Sequence, residues 1–376
     1  MSNRRTAMSS ASGPASRALV ALCAVVALLA GPLVWARPAA AAINVDDYTS
    51  GRFTTHTSEP AFLRYPTDDA GHVSYRVGAL KIHPPTLLPV YLLGDSLVRE
   101  CITTQGDMAA RLATASGVTT SVYDLGSGNQ SFAETLAIID NLPPGPGVVA
   151  ISVSQNRFAR TDAQIRPQVQ ASPLLLQSTT LWRFILKVFG SAPRNSILPG
   201  IKAYLADYRL RNAATLAKGR TPHNVYVQHR QNGVLPPDRK QHFVASWLAT
   251  KGAPGGAFDQ WDDVNGLLLE RAVTRAQQRG MTVVLMEGTC DRAFVGSAWD
   301  RYQWAYRTIC QKVVADTGAT YIDPYPIAGL VSDDFHDVIH LLEPGRYKWM
   351  DALATQLAPT VAGVAGTTPP SPAQAP

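Results

Sequence analysis

The stretch Pro89-Val90-Tyr91-Leu92-Leu93-Gly94-Asp95-Ser96 decides the fold. An apolar run of this length, ended by turn residues, is typical of a parallel strand that is covered on both faces. The run stops at Gly-Asp-Ser, so the strand delivers a serine hydroxyl at its end. Far downstream, Asp337-Val338-Ile339-His340 supplies a carboxylate and an imidazole three positions apart. These are the parts of a Ser-His-Asp triad, in which histidine takes the serine proton and aspartate orients the histidine.

Strand and helix patterns alternate along the rest of the chain. Apolar runs predict further strands at residues 119–125, 148–153, 282–286 and 320–322. Helical spacing predicts intervening helices at residues 108–112, 132–139, 267–279, 299–315 and 347–357. This alternation predicts an α/β fold, a three-layer α/β/α sandwich with a parallel sheet.

The N-terminus has the pattern of a signal peptide. Arg4, Arg5 and Arg17 precede or flank an apolar run over residues 18–30, and Ala40-Ala41-Ala42 offers small residues for cleavage. We therefore predict a leader over residues 1–42 and a secreted or extracytoplasmic protein; an uncleaved anchor is the alternative. Without the leader the net charge falls from +6 to +2, which argues against a nucleic-acid partner.

The mature chain divides into four parts. Residues 43–87 are polar and proline-containing, which predicts an irregular N-terminal extension. An α/β domain is expected over residues 88–362, interrupted by an insertion at 157–263. Residues 363–376 are rich in proline, threonine and alanine, which predicts a disordered tail.

The insertion is basic. It contains 15 Lys and Arg residues, six Asp and no Glu, a local charge of +9. Residues 181–189 place Trp182, Ile185, Leu186 and Phe189 on one face at helical spacing. One interpretation is a cap helix with a solvated basic face. The other is a lid or a peripheral membrane contact that meets acidic or amphiphilic substrate.

Three cysteines remain after the leader. In an oxidising compartment, Cys290 and Cys310 are candidates for a disulfide, with Cys101 buried and reduced. The alternative is three small core residues. No Cys-x-x-Cys or His-x-x-x-His spacing indicates zinc, and no other cofactor is implied.

Two ambiguities concern the catalytic candidates. Asp95 or Ser96 would also serve as a plain helix N-cap. A second Asp-x-x-His, Asp333/His336, directly precedes Asp337/His340, but a break and a helix start follow only His340. We therefore favour His340 as the base and Asp337 as the residue that orients it.

These motifs resemble the sequence blocks of the SGNH (GDSL-type) hydrolase superfamily. Gly94-Asp95-Ser96 matches the first block, and Asp337 to His340 with Gly345 matches the last. The segment 124–129 resembles the second block, with Gly128 as the better match to the oxyanion glycine and Gly126 as the alternative. Asn156 matches the oxyanion asparagine of the third block, although the block's final Asp is Arg157 here.

The resemblance implies a serine esterase that forms an acyl-enzyme on Ser96. The oxyanion hole would comprise the amides of Ser96 and Gly128 and the Asn156 side chain. An acyl ester, on a cell-envelope glycan or lipid, is the implied substrate class. The alternatives are an O-acyltransferase with the same triad and a catalytically silent glycan-binding module. Arg99 and Arg157 are expected either to face the pocket or to form salt bridges.

Overall fold

The computed structural model describes residues 84–160, 233–251 and 264–367. Between and before these ranges it describes single positions: Val73, Arg76, Val77, Leu80, Lys81, Ile165, Ser178, Thr180 and Arg183. Five parallel strands form one sheet in the order β2-β1-β3-β4-β5. They are β1 (Leu88–Leu93), β2 (Thr120–Asp124), β3 (Gly147–Val153), β4 (Met281–Glu287) and β5 (Thr320–Ile322). The predicted α/β class with a parallel sheet is confirmed.

Helices connect the strands. The longer ones are α2 (Gln105–Ser116), α3 (Phe132–Asn141), α5 (Pro237–Thr250), α6 (Val264–Gln278), α8 (Asp300–Thr317) and α10 (Glu343–Thr367). Four-residue helices are α1 (Ser96–Arg99), α4 (Gln155–Phe158), α7 (Arg292–Val295) and α9 (Tyr325–Ala328). Short 3-10 helices occupy Gly296–Trp299 and Ser332–Asp334.

Strand β1, which lies between β2 and β3, shows why the fold has three layers. Its side chains alternate between faces, as in any strand. Val90 and Leu92 pack in a core with α2 and α10, whereas Tyr91 and Leu93 pack in a second core with α3, α6 and α8. All four are at most 1% exposed, as the continuous apolar pattern predicts. β1 also lies between β2 and β3, so the connections that leave β1 and β2 run in opposite directions across the sheet. Such switch points in strand order are where α/β sheets bind ligands.

Two predicted boundaries change. In the N-terminal extension, Val73, Val77 and Leu80 are helical and lie in the core beside β1, so these positions are not irregular. The spacing of their apolar side chains lets one helical face join that core. At the other end α10 runs to Thr367 and Val364 is buried. Residues 363–367 of the predicted tail are therefore helical, and residues 368–376 lie outside the described part.

The insertion is described in part. Its helix α5 joins a third apolar cluster in which Val244 and Trp247 pack with Leu97, Trp299 and Val338. This cluster lies under the end of the sheet that carries Ser96. Of residues 181–189 only Arg183 is described, and it is helical and exposed. The leader lies outside the described residues.

Among the helices of the described segments, none is both long enough and apolar enough to span a bilayer.

The three cysteines of the described residues are free thiols, so the predicted Cys290–Cys310 disulfide is wrong. Cys310 lies in the core between the sheet and α6, and Cys290 lies in the apolar cluster beside Trp247. They belong to different packing layers, which keeps them apart. Cys101 is buried and reduced, as predicted. Burial raises the pKa of the Cys290 thiol to about 12, so it stays protonated at neutral pH.

Candidate active site

The turn after β1 is shaped by Gly94. A Cβ at this position would lie 2.5 Å from Val98 Cγ2 and 2.7 Å from Ser152 Cβ, so any larger residue would displace one of them. Asp95 is the N-cap of α1, and its Oδ1 accepts a hydrogen bond from the Leu97 N–H at 3.1 Å. The capping role therefore belongs to Asp95. Ser96 begins the helix, partly exposed, and its own N–H has no intrahelical partner.

Ser96, His340 and Asp337 form one hydrogen-bonded chain. His340 Nε2 lies 3.0 Å from Ser96 Oγ, and His340 Nδ1 lies 2.7 Å from Asp337 Oδ2. A carboxylate only accepts hydrogen bonds, so Nδ1 carries the proton and donates it. Nε2 is then the free acceptor that faces the serine hydroxyl. This tautomer is the one that takes a proton from serine.

The loop that carries the histidine is braced at several points. Asp337 Oδ1 accepts hydrogen bonds from the backbone N–H groups of Ile339 and His340, both at 2.8 Å. From the loop after β4, Thr289 Oγ1 donates to the Ile339 carbonyl at 2.6 Å. Gly345 completes the arrangement, because a Cβ there would lie 2.6 Å from the Asp334 carbonyl oxygen. The glycine that follows the Asp-x-x-His motif thus permits close packing of α10 on this loop.

Asp337 and His340 shift each other's pKa in the directions that favour the charged forms of both side chains. Burial alone lowers the pKa of His340, but the hydrogen bond and charge of Asp337, with Glu100 and Asp95, raise it above its usual range. Burial raises the pKa of Asp337, yet its hydrogen bonds to His340 and to two backbone amides lower it overall. The site therefore favours the imidazolium that forms when serine loses its proton.

The second Asp-x-x-His lies elsewhere. The ring of His336 bonds through Nδ1 to the Gly233 carbonyl, and its backbone N–H donates to the His340 carbonyl at 2.9 Å. Asp333 is exposed. The structure thus brings His340, and not His336, to Ser96.

The contacts in the loop after β2 distinguish the two glycines that were candidates for the oxyanion hole, Gly126 and Gly128. The Gly126 N–H donates to Asp124 Oδ1 at 2.9 Å, and a Cβ on Gly126 would lie 2.7 Å from the Arg99 backbone nitrogen. Gly126 is therefore explained by the turn itself. Gly128 is exposed and follows Ser127, whose N–H donates to the Gly94 carbonyl at 3.0 Å. This bond fixes the Gly128 segment beside the Ser96 turn.

Asn156 follows β3, next to β1. Ser154 Oγ lies 3.3 Å from Asp95 Oδ2 and links the two strand ends. The Asn156 Oδ1 accepts two hydrogen bonds from α5 and the residue after it: from Trp247 Nε1 at 2.7 Å and from Lys251 Nζ at 2.9 Å. Sequence reasoning missed both donors. Their only signal is the four-residue spacing that puts them on one helix face, a pattern that many helices share.

Neither arginine that was considered for the pocket contributes a free charge to it. Arg99 forms a buried salt bridge with Glu100 at 2.5 Å. Arg157 is fully buried and donates to the carbonyls of Gln130 and Ser152 and to Thr135 Oγ1. Burial lowers the pKa of Arg157 to about 10. These bonds tie the β2 loop, β3 and α3 together, so Arg157 is held by neutral groups and, among the described residues, does not form the salt bridge that was one of its two expected roles.

Among the described residues, no group of three or more His, Cys, Asp or Glu side chains is arranged to hold a metal ion. The arrangement around Ser96 supports nucleophilic chemistry, because its hydroxyl lies within hydrogen-bond reach of an imidazole whose tautomer is set by Asp337.

No family model and no curated protein matches the chain. Among solved structures, it is similar to the crystal structure of Est24, a carbohydrate acetylesterase from Sinorhizobium meliloti. The two chains are 12% identical, with a TM-score of 0.31, over 73% of this chain and 99% of the other. At this TM-score the likeness carries no argument about function, which is inferred from the geometry of the site.

Proposed function

We propose that the protein is an exported serine esterase of the SGNH type that cleaves an acyl ester through an acyl-enzyme on Ser96. The observation that supports this is the hydrogen-bonded chain from Ser96 Oγ through His340 to Asp337. Its position at the carboxyl end of β1, beside the point where the strand order reverses, is where α/β sheets place ligand sites.

Each residue has a defined step in this mechanism. Ser96 Oγ attacks the ester carbonyl carbon while His340 Nε2 takes the hydroxyl proton. The carbonyl oxygen becomes an oxyanion, stabilised by the N–H groups of Ser96 and Gly128 and by Asn156 Nδ2. The C–O bond to the alcohol then breaks, and His340 returns the proton to that oxygen. Water, deprotonated by His340, attacks the acyl-enzyme and releases the acid and Ser96.

We further propose that the substrate carries a negative charge. Arg160 Nη2 bonds to Asn129 Oδ1 at 3.2 Å, and Lys251 Nζ bonds to Asn156 Oδ1. Within the described segments, neither cation is within salt-bridge distance of a carboxylate. Burial lowers the pKa of each, and the Arg160 charge lowers the pKa of Lys251 further; the charge of Asp95, joined by Glu134 at Arg160, offsets only part of this. An anionic group, such as an acidic envelope glycan or lipid would present, would relieve this repulsion.

A covalent probe tests the proposal. Wild-type protein is expected to react with a fluorophosphonate at Ser96, and Ser96→Ala is expected to lose both labelling and ester hydrolysis, by on the order of 10⁶-fold in rate. Ser127→Ala, on the neighbouring loop, is the control that keeps labelling. A folded wild-type protein that never labels would favour the silent glycan-binding module.

Product analysis then separates hydrolysis from transfer. Acyl esters are incubated with and without sugar acceptors, and the free acid and acylated sugar are quantified. Free acid as the main product in both cases supports an esterase. Acylated sugar as the main product would assign the same acyl-enzyme to an O-acyltransferase.

A further inference from the structure

Helix α5 and its flanking residues connect the two sides of the site. Before its first turn, the Leu235 N–H donates to the His336 carbonyl at 2.7 Å. Within the helix, Lys240 Nζ donates to Asp291 Oδ2 at 3.1 Å and to the Ser332 carbonyl at 3.0 Å. Lys240 and Asp291 are at most 2% exposed, so this pair is a fixed attachment. The beginning of α5 is thereby joined to the loop that carries Asp337 and His340.

The far end of α5 holds Asn156. Trp247 Nε1 and Lys251 Nζ both donate to the same oxygen, Asn156 Oδ1, at 2.7 and 2.9 Å. Indole and ammonium groups are donors only, so the carboxamide oxygen must face them. The Nδ2 group then points away from α5, and among the described residues no group accepts a hydrogen bond from it.

Trp247 is itself rigidly placed. It is 5% exposed, and its ring packs on Trp299 and Tyr302 with centroids 5.0 and 5.2 Å apart. An indole held by two aromatic rings keeps its N–H in one direction, so its hydrogen bond needs little further ordering.

Among the described residues next to Asn156 in the sequence, none bonds to its amide. Asn156 lies in the four-residue helix α4, and the N-cap residue Ser154 makes no side-chain capping bond. The next residue, Arg157, directs its guanidinium to Gln130, Ser152 and Thr135. The orientation of the Asn156 amide is therefore set by α5.

We propose that Trp247 and Lys251 are positioning residues that hold Asn156 Nδ2 toward the developing oxyanion. The inference rests on the proposed function. Two donors on the oxygen polarise the carboxamide, and one of them is charged, so the Nδ2–H groups become stronger donors. Because charge on the substrate oxygen appears only in the transition state, losing either donor should lower kcat more than it raises KM.

A double-mutant cycle tests the inference with a small neutral ester. Trp247→Phe keeps an aromatic ring and removes the N–H, and Lys251→Met keeps the aliphatic chain and removes the ammonium. Each is expected to lower kcat by about three- to tenfold with KM nearly unchanged. In an Asn156→Ala background each should have little further effect, because both act through that amide. Lys251→Arg should recover part of the lost rate.

Matched controls separate positioning from general damage. Trp304→Phe changes a tryptophan that is 72% exposed, and Lys312→Met changes an exposed lysine paired with Asp316; neither should alter kcat. Thermal unfolding of every variant reports its folding. Equal losses from Trp247→Phe with and without Asn156 would overturn the inference and leave the esterase proposal standing. A wild-type protein that neither labels nor hydrolyses esters would overturn both.

Discussion

The serine turn and the histidine loop each contain side-chain hydrogen bonds between residues two or three positions apart, whereas the side chain of Asn156 is bonded by residues more than ninety positions away. Asp95 caps the turn through Leu97, and Asp337 bonds the amides of Ile339 and His340. Asn156, by contrast, is bonded by donors 91 and 95 positions further along the chain.

The difference shows which part of the site depends on the insertion. The nucleophile turn and the base loop have their own short-range bonds and meet because the sheet and α10 bring them together. The amide of Asn156 depends on α5, which lies in the basic insertion. We therefore expect substitutions on the serine–histidine side to abolish ester hydrolysis, and substitutions on the Asn156 side to lower its rate only in part.

The largest expected effect tests the assignment of the base. His340→Ala should lower kcat/KM by roughly 10⁴- to 10⁶-fold, because His340 is the base that contacts Ser96 Oγ in the described part of the chain. His336→Ala is the matched control, since its ring bonds to Gly233, and it should keep most of the activity. Steady-state ester hydrolysis measures both. An inactive His336→Ala beside an active His340→Ala would reverse the assignment.

Asp337→Asn should cost about 10⁴-fold, because the amide no longer enforces the tautomer with the proton on Nδ1. It should also shift the pH profile. Asp337 raises the pKa of His340, and the base works only when neutral, so wild-type kcat/KM should fall on the acid side around a pKa above the usual histidine range. In Asp337→Asn the fall of the residual activity should move to lower pH. An unchanged or higher apparent pKa in the pH profile would contradict the assigned pair.

Asn156→Ala should lower kcat by about 10²- to 10³-fold, the usual cost of one oxyanion donor. Gln311→Ala, at an exposed position of α8, is the control and should keep full kcat. Fluorophosphonate labelling of Ser96 should persist in Asn156→Ala, because the nucleophile and base are untouched. A variant with full kcat would remove Asn156 from the oxyanion hole and confine the site to its serine–histidine side.

The smallest effect concerns substrate charge. Arg160→Gln should reduce hydrolysis of an anionic ester by about two- to fivefold at low ionic strength and leave a neutral ester unchanged. The loss should shrink as salt rises, since the Debye length is about 10 Å at 0.1 M and 3 Å at 1 M. Arg271→Gln, on the exposed face of α6, is the charge-matched control. Equal behaviour of the two variants on the anionic ester at every salt concentration would leave the cations near Asn156 without a substrate role.

The α/β architecture could be predicted from the chain by itself. Buried strands such as β1 and β3 are apolar throughout, and turn residues end them. Short segments of sequence are therefore enough to predict that these strands form and in which order they follow along the chain. The glycines that permit close packing around the site, such as Gly94 and Gly345, lie within a few positions of Ser96 and His340 in the sequence. The candidate pair Asp337 and His340 was also predictable, because the hydrogen bonds that orient it span three residues.

Only the tertiary structure decided the contacts that join distant segments. It brought Trp247 and Lys251 within hydrogen-bond distance of Asn156 Oδ1, buried Arg157 against backbone carbonyls, and kept Cys290 and Cys310 in separate packing layers. A hydrogen bond across ninety residues leaves no periodic trace in the sequence, because its geometry depends on how a helix of the insertion packs on the finished sheet. Local patterns determine which elements form and where a reactive side chain stands on each, and packing determines which of those side chains meet.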